Sequence, residues 1–213
     1  MTSGRLGDRG QAFPIYVVVV AGLLFAALAF FVVGQASVTR SDAQGAADAA
    51  ALAAGREARD KVLLNLDLAT VTPADWKKIV NGDFFKVGEA CEAAEAFAAK
   101  NDATATTCEP ALPRFIVTVE TSGTVGDSVV PGTGTKHGRA TATALVEPRC
   151  HLGAVPTPSP TATTTPGGGS PAPTPAPPTV NFTCGGELVK LDPLNPGSLN
   201  ALTRKLFSVR LVG

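Results

Sequence analysis

The chain has few of the side chains from which catalytic, metal and nucleic-acid sites are built. Its 213 residues include two histidines, one tryptophan, one tyrosine and one methionine. No CxxC pair, HExxH run or two-histidine cluster is present, so the usual ligand spacings for a metal are missing. The acidic and basic side chains number 18 each, giving a formal net charge of zero. With the two signs mixed along the chain, there is no electrostatic footprint for nucleic acid or a polyanionic substrate. One Trp and one Tyr make no platform for stacking bases. We therefore expect no enzyme activity, no catalytic residue, no cofactor-binding or metal-binding residue, no cofactor and no nucleic-acid partner.

The nearest approaches to a reactive site each have a plainer explanation. Cys150 and His151 are adjacent, and adjacent residues of an extended chain point to opposite faces, so they do not form a thiol–imidazole pair. Gly132-Thr133-Gly134-Thr135-Lys136 lacks the GxxxxGK[ST] spacing of a phosphate loop and a following helix. His137, in the same Gly/Thr stretch, reads as a solvated surface histidine. Glu89, Glu92 and Glu95 read as the wet face of a helix. Asn181-Phe182-Thr183 is a glycosylation sequon by pattern alone.

Charge is also missing along one long stretch. From Gly10 to Thr39 there is no charged residue, and Arg9 and Arg40 bracket the gap. Within it, Ile15–Val33 is mostly Ile, Val, Leu and Phe. As a helix rising about 1.5 Å per residue this run spans roughly 28 Å, close to the bilayer hydrocarbon thickness of about 30 Å. Side chains of that kind each favour insertion by about 0.3 to 0.6 kcal/mol, which sums to several kcal/mol. A transmembrane helix is expected over 15–36, after a cytoplasmic tail at 1–14. Gly34 and Ala36 stand at the small-residue positions of a signal-peptidase site, with a cut before Ser37. The apolar core, however, is longer than the 7–15 residues of a signal peptide and no polar region precedes the site, so retention is expected.

Four cysteines, Cys91, Cys108, Cys150 and Cys184, all follow the apolar run. An even set suits two disulfides in an oxidising compartment. This places the body outside the cytoplasm, with the chain crossing the cell membrane once. Cys91–Cys108 with Cys150–Cys184 is the preferred pairing; the other two pairings stay open.

Beyond the anchor the chain turns alanine-rich. Pro14 stands where a helix N1 proline would, and no further proline occurs before Pro73. One long helix, or two nearly collinear ones, is expected from Ile15 to about Leu66. Ala43, Ala46, Ala47, Ala50 and Ala54 recur at helical spacing. Small residues on one face permit close packing against a partner helix or against the folded body. Thr72-Pro73-Ala74-Asp75 reads as an N-cap, an N1 proline and an acidic N3, opening a short helix to about Val80. Gly88–Lys100 reads as a further helix with Ala90, Ala93, Ala94, Phe97 and Ala98 as its apolar positions.

After Pro113 strand patterns are expected: Arg114–Thr121 and Gly138–Glu147, pairing antiparallel across a turn-rich Ser122–Lys136. Val155–Thr179 is a Pro/Thr/Ser/Ala/Gly stretch read as an extended, solvated loop. Val180–Leu191 and Leu206–Val212 read as strands with Ser198–Lys205 a short helix between them. The expected organisation is α+β: an exported region 37–154, helical and then β, the disordered Pro/Thr loop at 155–179, and 180–213 as the remainder of the same extracytoplasmic domain.

The segment Arg9–Gly55 resembles the N-terminal part of TadE/TadG-like proteins of bacterial tight-adherence (Flp) pilus systems. The resemblance rests on Arg9-Gly10 before the anchor, the anchor itself, Arg40, Gln44 and the Ala47-Asp48-Ala49-Ala50-Ala51-Leu52-Ala53 box. It covers roughly a fifth to a quarter of the chain. It implies a minor pilin-like or assembly component of the cell envelope, with a long N-terminal helix and an exported α+β body, in which the antiparallel strands expected above would form a small sheet. Its implied partners are the membrane and other pilus or secretion-system membrane proteins, with homo- or hetero-oligomers forming through the N-terminal helix. Prepilins of these systems are cut after a glycine, with Glu and an aromatic residue at the fifth and sixth positions beyond. Counting from Gly10, Tyr16 keeps the sixth place but Ile15 replaces the glutamate. This departure favours the uncleaved, TadG-like branch. A rival expectation from the same residues is a secreted or surface-anchored adhesin-like module whose N-terminal segment serves only for export; a mature N-terminus at Ser37 would distinguish it.

Overall fold

The computed structural model describes residues 12–126, 132, 134–153 and 179–213. Residues 1–11 of the expected tail, 127–131 and 133 of the expected turn-rich stretch, 154 at the end of the expected exported region and 155–178 of the expected Pro/Thr loop lie outside the described residues.

A single helix, α1 (Ala12–Lys61), runs through the apolar segment and the alanine-rich one without a break. Fifty residues make it about 75 Å long. It ends five residues short of the expected Leu66, where backbone bonds such as Leu64 N–H to Lys61 O close tight turns and Asn65 takes a left-handed φ of 83°. Two short helices follow, α2 (Pro73–Asn81) and α3 (Val87–Lys100). Thr72 caps α2 as a capping box: its hydroxyl accepts from the Asp75 N–H while the Asp75 carboxylate accepts from the Thr72 N–H.

Among the described residues the body carries two antiparallel sheets. The larger has the order β1-β2-β3-β7, from β1 (Ala103–Ala111), β2 (Arg114–Thr124), β3 (His137–Pro148) and β7 (Phe207–Val212). The smaller joins β4 (Cys150–Leu152), β5 (Val180–Cys184) and β6 (Glu187–Leu191). A last helix, α4 (Leu199–Leu206), leads directly into β7. Since β7 pairs with β3, the C-terminal residues complete a sheet begun before the Pro/Thr stretch.

One face of the larger sheet is dry. Phe115, Val117 and Val119 of β2 and Ala142, Ala144 and Val146 of β3 are buried, alternating with half-exposed neighbours as the two-residue strand period requires. The outer half of α1 lies across this face and α3 packs beside it through Ala90, Ala94 and Ala98. Alanine on both helices lets their backbones come close. The smaller sheet joins the same core through Phe182, whose ring meets Trp76 edge-on at 5.3 Å.

Several sequence expectations need correction. The strands begin before Pro113: β1 lies upstream, in the Thr-rich run ATATTCEPA, whose small side chains carry little hydrophobic signal. Val180–Leu191 is not one strand but a hairpin, β5 and β6, that turns at Gly185 and Gly186, both with positive φ. A third short strand, β4, pairs with β5. Leu206 closes α4 instead of opening a strand, and β2 continues to Thr124, into the stretch expected to be turn. Phe97 is 39% exposed, with the Lys100 ammonium 4.7 Å above its ring, so it is not a core position of α3.

Candidate functional site

The two halves of α1 meet opposite surroundings. From Phe13 to Val38 the large apolar side chains stand bare: Leu23 is 67% exposed, Phe25 75% and Phe30 81%. Apolar surface of that extent is unfavourable in water and neutral in hydrocarbon. The helix is long and apolar enough in this half to cross a membrane. From Ala43 onward the helix is under the body.

The changeover is abrupt because β3 starts against it. A Cβ built on Gly138 would stand 2.5 Å from the Thr39 carbonyl oxygen, so only glycine allows the strand to approach the helix there. The Gly138 N–H is held by the Thr121 hydroxyl at 2.9 Å, and His137 Nδ1 lies 2.7 Å from the Thr121 carbonyl oxygen. His137 is on the surface, as expected, but is tied to the backbone of β2.

Ala43, Ala46, Ala47, Ala50 and Ala54 are all buried, none more than 1% exposed. What covers them is the chain's own body, because β2, β3 and α3 occupy that side of the helix. A partner helix cannot use the same face while the body is in place. Uncovered small residues lie in the bare apolar half, where Phe25, Ala26, Ala29, Phe30 and Val33 border a shallow apolar groove. A second cleft runs between Phe30, Phe31, Gly34 and Val38 of α1 and Thr124 and Val125 at the end of β2. The body thus reaches down alongside the top of the apolar run.

Both disulfides form as Cys91–Cys108 and Cys150–Cys184. The first ties α3 to β1 and the second ties β4 to β5, where the two cysteines face each other in register. Cys150 is buried while His151 is exposed, so the adjacent pair shares no site. Among the described residues no group of three or more His, Cys, Asp or Glu is placed to hold a metal ion.

Charge is spent on fastening. Asp60 lies 2.8 Å from Arg59 Nε and 3.7 Å from Arg204, linking the end of α1 to α4. Lys61 bridges Glu57 and Glu89, so one member of the expected acidic face of α3 is paired. Across β3 and β7, Arg210 grips Glu147 with two bonds of 2.8 Å. That grip holds the Glu147 carboxyl below its usual range and raises Arg210. The Asp75 carboxyl is likewise lowered, first by the bond from the Thr72 hydroxyl and then by the Thr72 backbone N–H.

The sequence reading located the apolar run, the alanine face and all four cysteines. It missed Gly55 and Gly138, the two glycines at which an added Cβ would clash across the contact between α1 and the sheet. A glycine within a helix or strand pattern is the one mark either leaves in the sequence.

Residues 10–57 match the family model described as "Putative Flp pilus-assembly TadE/G-like". The match spans nearly all of α1 and stops short of the rest of the body. No curated protein and no solved structure matches the chain.

Proposed function

We propose that this chain is a membrane-anchored, non-enzymatic component of a Flp-type pilus or a related secretion apparatus, working by packing and not by chemistry. The observation that carries the reading is one continuous helix divided into a bare apolar half and a covered alanine half. The matched family segment spans both halves. The lower half holds the chain in the bilayer, with the N-terminus cytoplasmic and the disulfide-stapled body outside. Partner membrane proteins of the apparatus meet the anchor itself, through the side bordered by Ala26 and Ala29. The alanines at 43–54 serve a different end, fixing the body rigidly on its own stalk. Ile15 in place of the prepilin glutamate supports the uncleaved, TadG-like form.

Co-purification from native membranes tests this. Ala26→Leu with Ala29→Leu fills the groove while keeping the span apolar. The expected result is loss of co-purifying apparatus proteins with the anchor still in the membrane. Unchanged co-purification would contradict the partner surface, and recovery of the chain with no apparatus component at all would contradict the assembly role.

A further inference from the structure

We propose, on the reading that the bare half of α1 is a membrane anchor, that the cleft between α1 and the end of β2 holds one phospholipid of the outer leaflet. Its headgroup carries a primary ammonium, as that of phosphatidylethanolamine does. Three observations point to this occupant.

The first is the grading of the cleft from apolar to charged. Ala27, Phe31, Gly34 and Val38 line its lower part and recur at three- and four-residue steps, so they share one side of α1. Higher up, Thr39, Asp42 and Thr124 border this cleft and also a polar one that continues toward the end of α3. The polar cleft adds Ser41, Lys100 and Asp102. An apolar trough that opens directly into a charged one matches a molecule with an acyl chain at one end and an ionic head at the other. A partner's transmembrane helix would leave the charged part unmatched.

The second is depth. Counting about 30 Å of hydrocarbon from Ile15, at about 1.5 Å per residue, puts the outer boundary near Gly34. Thr39 then stands about 7 Å and Asp42 about 12 Å further out, against a headgroup layer about 5 to 7 Å deep. The apolar trough is thus at acyl-chain depth, and the charged one is where headgroups meet water.

The third is charge complementarity. Among the described residues, the charged side chains of the polar cleft are Asp42, Lys100 and Asp102, and none of them is in an ion pair. The Lys100 ammonium leans over the Phe97 ring at 4.7 Å. One cation and two carboxylates complement a phosphate that carries an ammonium. Lys100 takes the phosphate, and the two carboxylates accept hydrogen bonds from the ammonium N–H groups. A choline headgroup has no N–H to donate, and a glycerol headgroup has no cation for the carboxylates.

Native mass spectrometry of the full chain in detergent tests this, with phosphatidylethanolamine, phosphatidylcholine and phosphatidylglycerol of one acyl composition added in turn. The expected result is a single retained lipid, with phosphatidylethanolamine held about tenfold more tightly than the others, roughly what one hydrogen bond to a charged group supplies. Asp42→Asn with Asp102→Asn should remove that preference. Asp102 has a φ of 51°, a conformation that asparagine also adopts, so the variant keeps the fold. Gly34→Leu, where an added Cβ meets nothing within 4 Å, should abolish lipid retention and leave co-purification of apparatus proteins unchanged. Equal binding of the three lipids, or a preference for phosphatidylglycerol, would overturn the proposal. So would a Gly34→Leu chain that keeps its lipid; if it loses protein partners instead, the cleft belongs to a partner helix. Failure of the anchor reading is told apart, because the chain would then leave the membrane under alkaline carbonate. A chain that stays in the membrane yet binds none of the three lipids overturns this proposal alone.

Discussion

Gly55 sits beneath Val209: a Cβ added to Gly55 would stand 2.8 Å from Val209 Cγ1, with Ala144 and Val146 next at 3.5 Å. The stalk helix and the last strand of the sheet therefore touch with no room for a methyl group between them. Gly138 makes the tighter contact, because its obstacle is the Thr39 backbone and not a side chain that can turn away.

Glycine substitutions along α1 and β3 should divide into two kinds. Gly138→Ala forces the strand off the helix and is expected to destabilise the body by about 1–3 kcal/mol, as other overpacked sites do. Gly55→Leu should cost a comparable amount. Gly45, within the same helix, has nothing within 4 Å of its added Cβ, so Gly45→Ala should be neutral or stabilising by up to about 1 kcal/mol. Denaturant unfolding of the detergent-solubilised chain measures all three. Equal effects at the three positions would refute the packing described.

The alanine face should respond as a protein core. Ala50 is fully buried, and Ala50→Leu is expected to cost about 1–3 kcal/mol through overpacking. The loss should be seen in the chain on its own, in the absence of any partner. A change in partner association with unaltered body stability would show that the face belongs to an intermolecular contact.

Both disulfides should matter in proportion to the chain they enclose. Cys91–Cys108 closes a separation of 17 residues and Cys150–Cys184 one of 34. The loop-entropy estimate gives about 3 and about 4 kcal/mol respectively. Paired Cys→Ser variants should lower the unfolding midpoint in that order, and a reducing agent should do the same to the natural chain. Indifference to reduction would count against both bridges.

Acid should loosen α2 first at its cap. Asp75 titrates below its reference value of 3.8 because the folded state supplies it with the Thr72 hydroxyl and N–H. A depressed carboxyl stabilises the fold above the unfolded pKa, and that contribution disappears as pH falls through the lower, folded value. Amide exchange at the start of α2 should therefore quicken below about pH 4, and Asp75→Asn should abolish the pH dependence of that local opening. Glu147, lowered by Arg210, should behave alike at the β3–β7 edge, with Arg210→Gln as its control.

Local patterns carried much of this architecture. The proline-free apolar and alanine runs foretold α1, because helix geometry needs only near-neighbour residues. Thr72, Pro73 and Asp75 foretold the start of α2 for the same reason, their hydrogen bonds closing within three positions. What escaped the sequence depends on distant partners. β1 is a strand because β2 lies beside it, its own threonines and alanines carrying little hydrophobic signal. The hairpin at Gly185-Gly186 was hidden within one continuous β-prone run. The destination of the alanine face was equally illegible: five small residues at helical spacing fit a partner helix and a folded body alike. Long-range packing put the body there.

Alkaline carbonate extraction of native membranes, followed by intact-mass measurement of the chain, tests the central claim most directly. The account predicts a chain that stays with the lipid pellet and whose mass retains the whole apolar half of α1. A chain released into the supernatant, with a mass that begins at Ser37, would contradict it.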